Sequence, residues 1–178
     1  NEGYRVIALS YSKEFNNILL GFVFLKDKIR ETASSSIKKI EQSGVQVIML
    51  TGDSYNTAYK VAKDLNILKE TDIILTSEEF NKLTDNEVSN RLNRIKVLCR
   101  SLPEDKLRFI KIAQSKNLVV GMTGDGINDA PSLKKADVGF AMGSGMEVAK
   151  EASDIVILDN NFYSIANAIL YGRTIFKS

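Results

Sequence analysis

Two apolar runs in this chain stop on the same three residues. Ile48-Met49-Leu50 leads into Thr51-Gly52-Asp53, and Val120-Gly121-Met122 leads into Thr123-Gly124-Asp125. A short continuous apolar run is the pattern of a strand covered on both faces. A glycine directly after it lets the backbone turn sharply or approach a ligand closely. Around these runs, helical and strand-like patterns alternate. Helical spacing predicts helices over Glu31–Ser43, Ser54–Leu65, Pro103–Ser115, Asn128–Ala136, Met146–Ala152 and Phe162–Phe176. Strands are predicted over Val45–Leu50, Asp72–Leu75, Ile95–Cys99, Leu118–Met122, Val138–Met142 and Ile155–Leu158. Thr76-x-x-Glu79 and Thr84-x-x-Glu87 have the spelling of capping boxes that open two short helices. This alternation argues for βαβ units and a parallel sheet flanked by helices. Ahead of it, Tyr4–Ser10 and Ile18–Leu25 flank a polar Lys13–Asn17 turn and read as a β-hairpin. A charged hinge, Lys26 to Arg30, separates the two patterns.

Composition removes several function classes. With 178 residues the chain can build one α/β domain with a proper core. The net charge of +2 offers no field for nucleic acid or an anionic membrane. Histidine is absent and there is one cysteine, Cys99, inside an apolar run. Histidine-based catalysis is therefore excluded, one cysteine as the only soft ligand argues against a zinc site, and Cys99 reads as a reduced core residue. No apolar stretch approaches the ~20 residues of a membrane helix, and the first residues lack a signal-peptide pattern. The expectation is a soluble cytoplasmic domain with no membrane segment and no nucleic-acid partner.

In parallel α/β sheets, ligands sit beyond the carboxyl ends of the strands, where both Thr-Gly-Asp turns fall. A threonine hydroxyl there can donate to a phosphoryl oxygen, and a glycine N–H can approach an anion. Asp125 and Asp129 are hard oxygen ligands suited to Mg2+. Asn128 can donate between them, and Lys106, early in its helix, can neutralise a transferring phosphoryl group. Blander readings compete. A lone Thr51-Gly52-Asp53 is also an ordinary strand-to-helix turn with an aspartate N-cap, and a lone lysine is usually solvated. Two glycines flanking acids after a buried strand, Gly124-Asp125-Gly126-Ile127-Asn128-Asp129, are costly for a mere turn. Asp137 and Asp154 begin strands, at the wrong end for this crevice, and read as caps or turn residues. Gly143-Ser144-Gly145 lacks the lysine of a P-loop and reads as a tight turn. Lys38-Lys39 and Lys134-Lys135 read as solvated faces.

Thr51-Gly52-Asp53, Lys106 and Gly124-Asp125-Gly126-Ile127-Asn128-Asp129-Ala130-Pro131 together resemble the phosphorylation domain of P-type cation-transporting ATPases, within the haloacid dehalogenase-like superfamily. The likeness continues through Ala141 to Gly145, Val148-Ala149-Lys150, Ala152-Ser153-Asp154, Asp159-Asn160-Asn161-Phe162 and Gly172-Arg173. Arg100 to Lys106 is closest in style to calcium-pump-like, type II members. The resemblance implies a Rossmann-like α/β fold over 26–178, with 1–25 as the last strands of the nucleotide-binding domain. It implies that Thr51 and Gly52 contact the phosphoryl group and that Lys106 neutralises its charge. Asp125 and Asp129 would hold Mg2+, and Asn128 would complete that environment. Asp53, Arg100 and Arg30 would face ATP. The family's nucleophile lies in an Asp-Lys-Thr-Gly-Thr motif, which is missing here; Asp27-Lys28 continues as Ile29-Arg30. The implied acceptor aspartate lies outside these residues, as do the nucleotide, actuator and membrane domains of the pump, which are the implied partners. The isolated chain is expected to be inactive, and the parent to be a cell-membrane pump, bacterial in style, with this part on the cytoplasmic face. Two rival readings are a free-standing phosphatase using Asp27 and a non-catalytic regulatory fragment.

Overall fold

A computed structural model describes residues 5–13, 16–25 and 29–175. The first two strands, β1 (Arg5–Lys13) and β2 (Asn16–Leu25), form the expected antiparallel hairpin. Its large apolar side chains are exposed on both strands, including Leu20 at 68 % and Phe22 at 56 %. Most of the charged hinge and the centre of the hairpin turn lie outside the described residues, as does Asp27.

From α1 (Glu31–Gln42) onward the chain alternates as its spacing predicts. Strand β3 (Met49–Leu50) is followed by α2 (Tyr55–Asp64), then β4 (Ile73–Thr76), α3 (Ser77–Lys82) and α4 (Asp85–Arg91). Strand β5 (Ile95–Cys99) leads to α5 (Pro103–Ser115) and β6 (Gly121–Gly124). A 3-10 turn at Ile127–Asp129 opens α6 (Ala130–Lys135). Then come β7 (Val138–Met142), α7 (Glu147–Glu151), β8 (Ile155–Ile157) and α8 (Phe162–Ile175). Both predicted capping boxes form: the Thr76 and Thr84 hydroxyls accept from the N–H groups of Glu79 and Glu87, and the threonine N–H groups donate back to the glutamate carboxylates. Each such cap contributes about 1 kcal/mol.

The strands after the hairpin pair in parallel, in two groups of three ordered β3-β5-β4 and β6-β7-β8. Strand β5 is buried at every position because its two faces meet different cores. Leu98 packs with Leu75, Phe80, Val88 and Phe109, under α3 to α5. Val97 and Cys99 pack on the other side with Ile37, Ala58 and Ala62 of α1 and α2. A third cluster, Ile110, Met122, Leu133 and Ala149, lies beneath β6. Leu50 of β3 packs against both the first and the third cluster. The inner edge strands β3 and β6 thus border shared core, yet no described strand pairs with both.

Three expectations are corrected in detail. The strand predicted from Val45 is ordered as strand only at Met49–Leu50, because the Gln46 side chain donates to the carbonyls of Leu92 and Ile95, at 3.0 and 3.1 Å, where a backbone ladder would begin. The strand predicted over Leu118–Met122 is displaced toward its own motif. Leu118 and Val119 are exposed, and Thr123 and Gly124 pair with Phe140 and Ala141 of β7. Lys39 is not on a solvated face: its Nζ donates to Asn167 Oδ1 at 2.7 Å and Tyr163 Oη at 3.1 Å, fastening α1 to α8.

Candidate phosphoryl-transfer site

The turn after β3 is stitched to the turn after β5. Thr51 N–H donates to Leu98 O, Ser101 N–H to Thr51 O, and Arg100 N–H to Asp53 O, each at 2.9 Å. Within the turn, Thr51 Oγ1 donates to Asp53 Oδ2 at 3.0 Å and accepts from Asp53 N–H at 3.1 Å. The N-cap of α2 is Ser54, not Asp53, so the capping reading of Asp53 is not what the structure shows. Arg100 holds this junction in the left-handed region, at φ +52°, which is uncommon for arginine and concentrates at functional turns. Ser101 Oγ is buried beside it with no hydrogen-bond partner among the described residues.

Across the shared core, β6 ends in the second turn. Lys106 Nζ, in the first turn of α5, contacts Asp129 Oδ1 at 2.8 Å, with both side chains about nine-tenths buried at 13 % and 14 % exposure. Asp129 Oδ2 accepts from the N–H groups of Asp125 and Gly126 at 3.3 and 3.4 Å. Gly124 is obligatory, since a Cβ there would lie 2.4 Å from Asp129 Cβ. Asp129 therefore splints the loop, while the Asp125 carboxylate points from an exposed position with no side-chain partner among the described residues. Asn128 is exposed in the 3-10 turn. Among the described residues no group of three or more acidic, cysteine or histidine side chains forms a metal cage. The donor set fits Mg2+, which takes one or two carboxylates and fills its shell with water and phosphate. A chelating structural metal would need more ligands.

The structure brings Lys106, Asp125 and Asp129 together, and sets Thr51, Gly52 and Asp53 beside Arg100. Arg30 is placed differently. It is the N-cap of α1, and its Nη1 donates to the Asn160 carbonyl. Two residues with consequences for the site carried no role in the sequence reading. Asp105, only 3 % exposed, accepts from Ser77 Oγ at 2.6 Å, Asn81 Nδ2 at 2.8 Å and Leu102 N–H at 2.9 Å, locking the turn that carries Lys106. Asn160 accepts from Ser144 and is left-handed at φ +53°. The signal for Asp105 was its place three residues after the N-cap of a helix opened by Pro103. For Asn160 it was an asparagine in a polar turn, the side chain that most readily adopts this backbone.

Comparison with known proteins follows the same residues. The model of the haloacid dehalogenase-like hydrolase family matches residues 5–137. A calcium-transporting ATPase of Lactococcus lactis is 42 % identical over 170 residues, covering 96 % of this chain and 19 % of the relative. A plasma membrane-type calcium-transporting ATPase of Arabidopsis thaliana is 43 % identical over 166 residues, covering 90 % of this chain and 16 % of the relative. Among solved structures, a zinc-transporting PIB-type ATPase superposes with a TM-score of 0.68 at 26 % identity, covering 97 % of this chain and 23 % of that one. The chain spans about a fifth of the length of the curated relatives it matches. No helix among the described residues is long and apolar enough to cross a membrane.

Proposed function

The chain belongs to the haloacid dehalogenase-like hydrolase family, and on that premise we propose that residues 26–178 are phosphorylation-domain sequence of an ATP-driven cation pump, with 1–25 belonging to its nucleotide-binding domain. The observation that carries the reading is the Lys106–Asp129 contact at the carboxyl end of β6, with the Asp125 carboxylate left to a ligand beside it. The homology to calcium-transporting ATPases supports calcium as the transported ion and a membrane protein as the parent; this part would then lie on its cytoplasmic face.

In this reading the phosphoryl acceptor is an aspartate outside the 178 residues. Its strand would lie parallel between the inner edges of β3 and β6, which otherwise leave backbone groups without a ladder. Thr51 Oγ1 would donate to the phosphoryl oxygens and Gly52 N–H would approach them. Lys106 would offset their negative charge. Asp125 would hold Mg2+, with Asp129 fixing the loop within reach and Asn128 donating at its rim. Mg2+, when bound, would supply neutralisation of the negative charge on the transferring phosphate. Arg100 and Asp53, joined through the Arg100 N–H bond, would face ATP. Arg30, though carried by resemblance toward the nucleotide, has one guanidinium nitrogen on Asn160 and better fits a brace at the junction.

The test is incubation of the 178-residue chain with γ-labelled ATP and Mg2+. The expected result is no acid-stable label, together with Mg2+-dependent shifts of the Asp125 and Gly126 amide resonances. Acid-stable label on this chain would overturn the reading by placing a nucleophile within it.

A further inference from the structure

We propose that Asn160 is a positioning residue for Asp125, acting through the Gly143–Met146 turn. This rests on the reading of Asp125 as a Mg2+ ligand.

The Asp125 carboxylate has no partner among the described residues, so its direction is inherited from its backbone. That backbone is fixed at two points. Its N–H donates to Asp129 Oδ2 at 3.3 Å, and its carbonyl accepts from Met146 N–H at 2.8 Å. The second point belongs to a different strand connection, the turn between β7 and α7. Gly145 in that turn lies so close that a Cβ would sit 3.0 Å from Asp125 O and 3.1 Å from Asp125 Cα. The turn is therefore a wall for the metal loop, and the loop goes where the turn goes.

Three contacts place the turn. Gly143 N–H donates to Ile157 O at 2.8 Å. Ser144 donates twice to Asn160 Oδ1, from N–H at 2.7 Å and from Oγ at 3.0 Å. Asn160 can present that oxygen because it is left-handed, at φ +53°, with its N–H on Ile157 O at 3.2 Å. Its own carbonyl accepts from Arg30 Nη1, at the start of α1. A continuous path thus runs from the N-cap of α1 through Asn160 and Ser144 to the backbone of Asp125. Groups hydrogen-bonded directly to a metal ligand change metal affinity about 10- to 100-fold when removed, and a residue acting through the intervening turn falls at the low end of that range.

Two substitutions separate the oxygen from the backbone conformation. Asn160→Gly keeps the left-handed turn and deletes the acceptor; Asn160→Asp keeps the acceptor. Mg2+ alone is titrated into the full chain while the Asp125 and Gly126 amides are followed by NMR. Hydrogen exchange of the Met146 amide is measured in parallel. The expected result is Mg2+ affinity about tenfold weaker in Asn160→Gly, near wild type in Asn160→Asp, with exchange at Met146 accelerated only in the glycine variant. Wild-type affinity and wild-type exchange in Asn160→Gly would overturn the proposal. If Mg2+ moves no resonance in the wild-type chain, the metal reading fails on its own. The exchange of Met146 then still decides whether Asn160 places the Asp125 backbone.

Discussion

Replacing Gly124 by alanine tests the packing of the site most directly. The new Cβ would meet Asp129 Cβ at 2.4 Å, Cγ at 2.8 Å and Oδ2 at 3.1 Å. Asp129 has nowhere to swing, because Oδ1 is on Lys106 and Oδ2 is on two backbone N–H groups. Either Asp129 leaves, giving up a charge-assisted bond of about 1.5–3 kcal/mol, or β6 shifts, with an overpacking cost of about 1–3 kcal/mol. Alanine regains about 0.5–1 kcal/mol over glycine in strand conformation. The net loss is about 2 kcal/mol, or about 4–8 °C in a chain of this size. Gly126→Ala is the internal control. Gly126 has an ordinary extended backbone at φ −117°, and its Cβ would find only Asp129 Oδ2, at 3.8 Å. That substitution should fall within about 0.5 kcal/mol of wild type. Urea unfolding of the three proteins, compared at unchanged slope, reads the difference. Equal stabilities for the two alanine variants would refute the claim that Asp129 is held in place.

Other consequences can be measured on the same material. Asp105 is desolvated by burial, which alone would raise its pKa, but hydrogen bonds from Ser77, Leu102 N–H and Asn81 outweigh this and hold it below the usual carboxylate value. Its contribution to stability is therefore complete above the unfolded pKa, near 3.9, and is lost as pH falls through the lower folded value; Asp105→Asn should flatten that acid limb of the urea midpoint against pH. Asp105→Ala leaves three donors without their acceptor and should cost about 3 kcal/mol by urea unfolding. Burial pushes the Cys99 thiol up, and the residue is fully enclosed, so a disulfide reagent at pH 8 should react with it only after urea is added.

The order of elements was readable because hydrophobic period and turn chemistry agreed at most positions. The limits of β5 and α5 are those expected from Ile95–Cys99 and from Pro103 at a first turn. Both threonine capping boxes formed, since their geometry depends on residues three apart. What failed depended on distant residues. Gln46 ended the ladder of β3 with its side chain, and nothing local announces that its amide reaches Leu92 and Ile95. Strand β6 was displaced because Val120 is paired with Asp137, whose carboxylate accepts from Val120 N–H at 2.8 Å, setting a register that apolar runs do not encode. Lys39 was misplaced because its partners lie more than 120 positions along the chain, on α8. At the site, residue types and spacing pointed to Lys106, Asp125 and Asp129. Which carboxylate the lysine takes became visible only in three dimensions. Asn160 stayed hidden because its effect passes through a neighbour's backbone.

The commitment of both Asp129 oxygens has a kinetic side. A site whose acids repel one another until a cation arrives must rearrange at each loading and unloading. Here the lysine ammonium and two amide protons already occupy the role of counter-charge. In the proposed reading a Mg2+ ion would be a visitor to a finished seat, free to come and go with each phosphate it accompanies, and EDTA should lower the thermal midpoint of the chain only by the small amount that mass action gives a weakly held ion.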